Sequence, residues 1–506
     1  MRGDRNGVRP RMLLRGRLTI AAGILILLAA GRALLADERG PEVDPGKPPA
    51  DVAAFPQPQA DDDGESSGPD AVEPSLPEPT PPPQPAHPAP AEAPSREPAP
   101  PRGATAAVPE AILRRIPIPP PGSRRGALPR LVSSGGSMQV TRAERLVEVV
   151  PAPGGGLSGP LRVEYTLDAG LTDAVYDIFA RGRVKLGLAV VLDPASGEVL
   201  AYAGTDAERL PPSALYPAAS LVKVVTAAAA LQNVPGVAGR TCHFVGSPYR
   251  LTPRRLDPPR RGTEVTLERA LATSNNQCFA QIAVNDLGEN RLLETFRRFG
   301  LLQSPGPGHA SGEADSADGD RFALGKLGCG LAGLRITALH AADIAAALVD
   351  GRRIAPHWIA RVSDLAGHDL PLPPRARPEV VLPAATAAQL RDMMIETTLS
   401  GTARRAFHGA WGRPLLREMT VAGKTGSLSG TTPPGRYEWF IGLAPADRPK
   451  IAIAVLVVQQ RHAHPTGAQV GAQILNAIFC NGEVCRADRA DQWLAARAGS
   501  TRHGFD

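Results

Sequence analysis

Aromatic residues are scarce in this chain and are almost absent from its first third. Of its 506 residues, 21 are aromatic (4 Trp, 6 Tyr and 11 Phe), and only Phe55 precedes Tyr165. A packed core relies on aromatic and large aliphatic side chains, so we expect the folded region to begin near residue 160. The roughly 340 residues that follow are enough for one large domain or two interleaved subdomains.

Long uninterrupted runs of one charge are also lacking. The formal net charge is +6, and it is spread over many Arg residues. The local basic runs Arg254-Arg255 and Arg260-Arg261 have no aromatic residues between them, so they are interpreted as solvated loop charge. A nucleic-acid groove is therefore not expected, and no nucleic acid is predicted among the partners.

Cysteine is rare, with five residues, and no C-x-x-C pair occurs. Cys480 and Cys485 lie close enough in sequence for a disulfide in an oxidising compartment. Cys242 and Cys278 are a candidate second pair, which would leave Cys329 free. Five unpaired buried thiols are the alternative interpretation, and the sequence alone does not decide between the two.

Metal-ligand patterns are lacking as well, since the His and Cys spacings do not match a zinc site. His462 and His464 follow a strand-like run but have no acidic or Cys partner nearby, so they are assigned to an exposed loop. No metal and no other cofactor is expected.

The first segment with a clear pattern is a basic tail followed by an apolar run. Residues 1–17 contain six Arg and one acid, and residues 18–36 are mainly apolar apart from Arg32. Positive charge before an apolar run orients the N-terminus towards the cytoplasm, so we predict a cytoplasmic tail and then a transmembrane signal-anchor. The alternative is a cleaved signal peptide, because Ala33–Ala36 offers small residues near a cleavage site. In both cases the chain after residue 37 is exported.

Residues 37–136 are of low complexity. Between Pro41 and Pro100 about one residue in three is Pro, mixed with Ala, Glu, Asp and Gln. Such a segment buries too little apolar surface to fold and favours extended polyproline II, so a disordered spacer reaching on the order of 100–300 Å is predicted. The alternative is a filler tail whose length is not selected. Two apolar islands, Ala111–Leu113 and Ile116–Ile118, are candidate docking spots for a partner.

After residue 160 the pattern changes to helical and strand-like segments. A lead-in segment (137–160), a folded domain (161–486) and a C-terminal tail (487–506) are predicted. Apolar residues recur with helical spacing in Leu171–Ala180, and Leu221–Leu231 is apolar all round, as in a buried helix. Five runs resemble strands: Gly187–Asp193, Glu198–Ala203, Met419–Gly423, Tyr437–Leu443 and Ile451–Val458. Strands at both ends with helices between them indicate an α+β fold.

Three motifs in this region carry chemistry, and the first is Ser220-Leu221-Val222-Lys223. Ser and Lys three positions apart lie on the same face of a helix. Tyr216–Ala219 precedes them and places Ser220 near the helix N-terminus, where a backbone N–H can bind developing negative charge. A buried Lys with a lowered pKa can accept the Ser proton. Alone, S-x-x-K is a weak signal, because it occurs by chance in many proteins.

The second motif is Ser274-Asn275-Asn276, which lies between two helical segments. A hydroxyl at such a turn can relay a proton to a leaving amine, and the Asn276 amide can both donate to and accept from a peptide backbone. Taken alone, S-N-N is more typical of an N-cap and turn.

The third motif, Lys424-Thr425-Gly426, is expected at the end of a strand. Lys and Thr supply a charge and a hydroxyl for a carboxylate, and Gly allows a ligand to approach the backbone closely. Gly423-Lys424-Thr425 also resembles the end of a phosphate-binding loop. That loop requires Gly where this chain has Glu418, so nucleotide binding is excluded.

The order and spacing of the three motifs are far more specific than any one of them. Ser274 follows Ser220 after 54 residues, and Lys424 follows after another 150. This is the set found in penicillin-binding proteins and class A β-lactamases. From about Leu161 to Cys480 the chain resembles the transpeptidase domain of penicillin-binding proteins. Further landmarks of the resemblance are Val190–Pro194, Gly197–Ala201, Leu267–Ala280, Gly401–Ala403 and Trp439–Gly442.

The resemblance implies a fold and a set of roles. The implied fold is α+β, a five-stranded antiparallel sheet flanked by helices plus an all-helical subdomain, with the active site between them. In the implied roles, Ser220 is the acylating nucleophile, Lys223 its general base and Ser274 a proton relay. Asn276 holds the substrate amide, and Lys424 and Thr425, with Gly426 beside them, bind the terminal carboxylate. The backbone N–H groups of Ser220 and Ser427 form the oxyanion hole. Many relatives have Thr where this chain has Ser427, but a hydroxyl is retained.

The resemblance implies a peptidoglycan D,D-transpeptidase of a bacterial inner membrane, single-pass, with its catalytic domain on the outer side. It would act on D-Ala-D-Ala stem peptides and bind β-lactams covalently. Nothing before residue 160 resembles a glycosyltransferase, so a separate glycan polymerase is an expected partner. The alternatives are a D,D-carboxypeptidase or a β-lactam hydrolase, in which water attacks the acyl-enzyme. A β-lactam sensor is disfavoured by the short cytoplasmic tail, and a silent scaffold by the intact motifs.

Overall fold

The structure, a computed structural model, describes residues 108, 110–113, 116, 145–150, 159–409, 412–459, 465–480 and 484–499. All of them fall in one unit, Arg96–Asp506. The predicted tail and anchor (1–36), most of the predicted linker, and the pair His462 and His464 lie outside the described residues. In the described part of the chain, no helix has the length and apolar character needed to cross a membrane.

Twelve α-helices are formed by the described residues. In chain order, α1 to α12 are Glu110–Leu113, Ala169–Arg181, Val222–Asn233, Leu267–Ala272, Asn276–Gln281, Gly288–Arg298, Arg321–Cys329, Ala338–Ala346, Ala384–Leu399, Arg404–Phe407, Gly467–Phe479 and Asp488–Gly499. Short 3₁₀ turns lie at Ala219–Leu221, Val237–Gly239 and Pro253–Arg255, and a π-helical turn at Ile282–Leu287.

Sixteen strands are found in the same part of the chain. In chain order, β1 to β16 are Arg145–Val150, Leu161–Asp168, Gly187–Leu192, Val199–Gly204, Tyr216–Pro217, Thr241–Phe244, Thr263–Thr266, Glu313–Ala314, Leu334–Ile336, Arg352–Arg353, Ile359–Ser363, Asp369–Leu370, Glu379–Val380, Ala422–Thr431, Pro434–Ala444 and Ile451–Gln459. The largest sheet has five strands in the order β14-β15-β16-β3-β4.

Every neighbouring pair in the five-stranded sheet is antiparallel, so the predicted sheet is confirmed. Strand β3 and residues 451–458 of β16 are apolar and buried at every position because both faces of the sheet are covered there. Alternate side chains such as Val190 and Val191 belong to two different buried clusters, as the two-residue period of a strand requires. Helix α8 packs on one face, and α2 and α11 pack on the other.

The strand that contains Lys424 differs from the prediction. A run Met419–Gly423 was expected to end just before Lys424, whereas β14 begins at Ala422 and continues to Thr431. The run after Lys424 is rich in Gly and Ser, which have low strand propensity. It is a strand because it pairs with β15 along its whole length, and such tertiary pairing outweighs local preference.

Helix α3 is the centre of the helical part of the domain. Nine of its residues are buried, which confirms the buried helix expected at Leu221–Leu231, and it contacts helices α4, α5, α6 and α7. A disulfide between Cys242 and Cys278 joins strand β6 to helix α5, and a second joins Cys480 to Cys485. Cys329 is a buried free thiol.

The predicted domain limits are too narrow at both ends. Strand β1 lies in the predicted lead-in, yet it pairs with β2 in a four-stranded sheet, β1-β2-β11-β12. Helix α12 lies in the predicted C-terminal tail, yet Ala490 is fully buried and Trp493 Nε1 donates to Asp168 Oδ2 at 3.2 Å. These segments lack the dense apolar patterns of the rest of the domain, so the sequence pattern alone does not assign them to it.

The prediction of disorder throughout residues 37–136 is wrong at the apolar islands. Val108, Ile112 and Ile116 are at most 3% exposed and belong to the main core cluster. The Val108 N–H donates to the carbonyl of Pro371 at 2.8 Å, and Trp358 Nε1 donates to the carbonyl of Ile116 at 3.2 Å. Val108, Ile112 and Ile116 therefore pack on this chain's own domain, because apolar side chains can be buried even within a Pro-rich context.

This docking predicts a stability difference. A chain that begins at residue 105 should unfold at a higher temperature than one that begins at residue 137, because fully burying an Ile contributes about 1.5–3 kcal/mol. Ile112→Asp in the longer chain should lower its midpoint to that of the shorter one. Val149→Asp, at a residue that is 61% exposed, is the control. Equal midpoints for both chain lengths, measured by calorimetry, would show that the islands contribute nothing to stability.

Candidate active site

Ser220 lies in a sharp turn at the start of helix α3. The 3₁₀ turn Ala219–Leu221 leads directly into the helix, and Ala219 has a positive φ of 49°. This backbone conformation is unfavourable for a residue with a side chain and is typical of functional turns. The absence of a side chain at Gly330 leaves room for this turn, since a Cβ at Gly330 would lie 2.0 Å from the Ala219 carbonyl oxygen. The half-buried Ser220 side chain thereby faces a cleft.

Lys223 lies one helical turn after Ser220 and is completely buried. Its Nζ atom is 2.8 Å from Ser220 Oγ, 2.7 Å from Asn276 Oδ1 and 2.5 Å from the carbonyl oxygen of Cys329. No carboxylate is among these partners. Burial without a counter-charge disfavours the ammonium form and lowers the pKa of Lys223 to about 8, partly offset by the nearby Cys329 thiol.

Ser274 and Asn276 are placed by a tight connection between helices α4 and α5. Ser274 has a positive φ of 57°, and Asn275 caps helix α5 by accepting from the N–H of Cys278 at 3.1 Å. The S-N-N run is thus an N-cap and turn that also directs two side chains into the site. Asn276 Nδ2 donates to the carbonyl of Tyr249 at 2.8 Å, while its Oδ1 contacts Lys223.

Lys424 is a second fully buried lysine, at the start of strand β14. Its Nζ donates to Ser274 Oγ at 3.0 Å and to the carbonyl of Thr425 at 2.7 Å. Burial, and next the charge of Lys223, lower the pKa of Lys424 well below its usual value. The two lysines, with Asn276 and Ser274, therefore form a polar layer behind Ser220.

Gly426 brings strand β14 against the Ser220 turn. A Cβ at Gly426 would lie 3.3 Å from the Ser220 nitrogen, so a side chain would crowd the Ser220 turn. The next hydroxyl, Ser427 Oγ, accepts from Arg436 Nε at 2.6 Å, and Arg436 also lies 3.3 Å from Glu438 Oε1. On the other side of Gly426, the hydroxyls of Thr425 and Thr402 are 2.5 Å apart.

These residues border one cleft of about 670 Å³. The predicted site residues that line it are Ser220, Ser274, Asn276, Thr425, Gly426 and Ser427. Lys223 and Lys424 lie behind its wall, within hydrogen-bond distance of Ser220 and Ser274. All eight predicted residues are therefore brought together in space.

Sequence reasoning missed several residues of the same cleft. Thr402 was noted as part of a landmark but not as a site residue. Tyr249, Arg436 and Glu438 carry no motif, and only the strand pairing of β14 with β15 places the last two beside Ser427. Within the described residues no group of His, Cys, Asp and Glu side chains is arranged to hold a metal ion.

Comparison with known proteins gives the family. The sequence model of the protein family described as the penicillin binding protein transpeptidase domain matches residues 187–479 of this chain. The chain belongs to this family, and the resemblance inferred from its motifs is confirmed.

Two curated relatives come from mycobacteria. Peptidoglycan D,D-transpeptidase PbpA of Mycolicibacterium smegmatis is 30% identical over 260 residues, which are 48% of this chain and 50% of the relative. The protein of the same name from Mycobacterium tuberculosis is 27% identical over 363 residues, which are 63% of this chain and 71% of the relative. The chain thus matches only half the length of the first relative.

A solved structure has the same fold. Penicillin-binding protein A from M. tuberculosis, as its imipenem acyl-enzyme complex, is 25% identical to this chain with a TM-score of 0.52. The match covers 62% of this chain and 79% of that one. That structure is of a covalent acyl-enzyme formed with imipenem, a β-lactam.

Proposed function

We propose that this chain is a peptidoglycan D,D-transpeptidase in which Ser220 forms an acyl-enzyme with a D-Ala-D-Ala stem peptide. The observation that carries the proposal is the contact of Lys223 Nζ with Ser220 Oγ at 2.8 Å, with no carboxylate among the hydrogen-bond partners of this buried amine. A serine needs an adjacent base to become a nucleophile, and a lysine with a lowered pKa can be that base.

The partners of Lys223 fit the neutral amine. A neutral amine has two N–H donors and one lone pair. The carbonyl oxygens of Asn276 and Cys329 accept hydrogen bonds but donate none, so they take both donors. The lone pair is left facing the Ser220 hydroxyl, which donates its proton there as Oγ attacks the substrate carbonyl.

The negative charge that develops on the substrate oxygen requires donors. We assign this role to the backbone N–H groups of Ser220 and Ser427, on the two sides of Gly426. The close approach of strand β14 to the Ser220 turn supports the assignment.

Collapse of the tetrahedral intermediate breaks the peptide bond and releases D-Ala, whose amine must gain a proton. Ser274 is the proposed relay, because its hydroxyl lines the cleft and accepts from Lys424 at 3.0 Å. We assign the terminal carboxylate to the Thr425 hydroxyl, which lines the cleft beside Thr402. The buried Lys424 would act on that carboxylate mainly through Thr425 and Ser274.

Deacylation by an acceptor amine is favoured over hydrolysis by the composition of the cleft. Among the described residues that line it, Glu438 is the one carboxylate. Its Oε1 is 3.3 Å from Arg436, and its Oε2 accepts from Gln459 at 3.4 Å. Both oxygens of this carboxylate are already engaged by side chains of the protein, which leaves it poorly placed to orient and activate a water molecule. A D,D-carboxypeptidase or β-lactam hydrolase therefore stays the second candidate.

The proposal includes a cellular setting that rests on sequence alone. Residues 18–36 would anchor the chain in the bacterial inner membrane, with the domain on the outer side. A separate glycan polymerase would supply the strands, since no glycosyltransferase pattern is found in residues 37–160. With the islands docked on the domain, the spacer that sets the reach would run from residue 37 to about 107.

The test is to supply un-cross-linked glycan strands bearing pentapeptides and to separate the products by chromatography. We expect cross-linked dimers and released D-Ala in equal amounts, and we expect penicillin to block both. Release of D-Ala without dimers would identify a carboxypeptidase. Rapid loss of bound penicillin with turnover would identify a β-lactam hydrolase. If neither cross-linked dimers nor free D-Ala form, the proposed function is refuted.

A further inference from the structure

The loop between strands β6 and β7 carries a concentrated positive charge. Residues 245–262 contain five Arg and one acid, Asp257. Asp257 is already paired with Arg321 at 2.6 Å. The charge of the loop is therefore not neutralised from within the loop itself.

Four of these arginines present free guanidinium groups. Arg250, Arg254, Arg260 and Arg261 are exposed, and none pairs with a carboxylate among the described residues. The fifth, Arg255, is half-buried and donates to the carbonyl of Arg250 at 2.8 Å. Arg255 therefore shapes the loop, while the other four are available to a partner.

The loop is fixed to the helix that carries Asn276. The disulfide Cys242–Cys278 ties strand β6, which leads into the loop, to helix α5. Gln277 Nε2 donates to the carbonyls of Val245 and Ser247 at 3.0 and 2.8 Å, and Gln281 Nε2 donates to the carbonyl of His243 at 3.1 Å. A charged surface held this firmly requires little ordering when a partner binds.

The loop also forms part of the cleft wall. Tyr249 lines the cleft, is 55% exposed, and accepts from Asn276 Nδ2 through its carbonyl. Arg250 follows it directly in the chain. A peptide strand whose amide lies at Asn276 would thus pass from the cleft onto the arginine-bearing surface.

We propose that residues 245–262 form a docking surface for the carboxylate-bearing stem peptides of an un-cross-linked glycan strand. This inference rests on the proposed function and adds to it a residue set for binding the polymer. Guanidinium groups bind carboxylates with geometric specificity. The loop has Tyr249 as its one aromatic residue, whereas single-stranded nucleic acids are bound by several stacked aromatics.

The test is a variant in which Arg250, Arg254, Arg260 and Arg261 are replaced by Gln. Its affinity for fluorescent un-cross-linked pentapeptide strands should fall about tenfold at low salt, and its cross-linking rate at limiting strand concentration should fall similarly. Its acylation rate with penicillin should stay within about twofold of wild type, because none of the four arginines lines the cleft. Glycan strands whose peptide carboxylates have been amidated should bind the wild-type protein and the loop variant equally weakly.

The matched control replaces Arg181, Arg183, Arg413 and Arg417, four exposed arginines outside the cleft lining, by Gln. It has the same change in net charge and should bind like wild type. An equal loss of strand affinity in the loop variant and in the control variant would refute a specific docking surface. Unchanged strand affinity in the loop variant would refute it as well. A loss limited to vesicles of anionic lipid would assign the loop to the membrane instead. Binding is measured without turnover, so failure of cross-linking by the wild-type protein would refute the proposed function separately.

Discussion

Ser220→Ala is expected to abolish covalent labelling by fluorescent penicillin while the fold persists. The hydroxyl is the one group of the Ser220–Lys223 pair that can form an ester, and removing it leaves no acyl acceptor on that turn. The substitution is small and at a half-buried position, so thermal unfolding should change little. Labelling is measured by gel fluorescence after denaturation, and intact mass should show no added penicillin.

Ser429→Ala is the matched control, because Ser429 lines the same cleft on strand β14. It should label at close to the wild-type rate. If Ser220→Ala still labels while Ser429→Ala does not, the nucleophile has been assigned to the wrong residue. Loss of labelling in a Ser220→Ala protein that has also unfolded would be uninformative, so circular dichroism is recorded on the same sample.

The motif positions were predictable from sequence because their chemistry is local. Ser220 and Lys223 lie within one helical turn, and that spacing alone places both side chains on the same face. The assembly of three motifs spread over 204 positions, from Ser220 to Lys424, was inferred from resemblance. No local rule places Lys424 Nζ 3.0 Å from Ser274 Oγ. The sequence pointed to the residues of the site, while the fold places them together.

What sequence reasoning missed depends on pairing across the chain. Strand β14 beyond Lys424 has the Gly and Ser content of a loop, and only its register with β15 sets Ser427 opposite Glu438. Thr402 reaches Thr425 because its N–H donates to the carbonyl of Ala272, which fixes the turn after α9. Composition predicted disorder around Ile112, but composition cannot register a complementary apolar surface elsewhere in the chain.

Lys223→Ala should slow acylation by penicillin by about 10²–10⁴-fold, the usual contribution of a general base. Non-covalent binding should persist, because the cleft residues that face the ligand are unchanged. The substitution also leaves the buried oxygens of Asn276 and Cys329 without their donor, which costs about 1–3 kcal/mol each in stability. Lys223→Met, with similar bulk, separates the loss of the base from the loss of packing.

The pH dependence distinguishes a base from a structural lysine. The pKa of Lys223 is lowered to about 8, so the amine is mostly protonated below that pH and cannot accept the Ser220 proton. The wild-type acylation rate should therefore rise with pH, about tenfold per unit well below pH 8, and level off above it. In Lys223→Ala this ascending limb should disappear and leave a slow, flat profile.

Lys424 provides the decisive comparison, because it is also buried with a lowered pKa. If Lys424 were the base, the ascending limb would survive in Lys223→Ala and vanish in Lys424→Ala. If Lys223 is the base, Lys424→Ala should slow acylation, but the acylation rate should still rise with pH as in the wild type. The rise should stay near pH 8, because burial and the nearby Cys329 thiol set the pKa of Lys223, and both are unchanged in Lys424→Ala. Acylation rates of the three proteins between pH 6 and 10 therefore assign the proton acceptor by the shape of the profile as well as by its height.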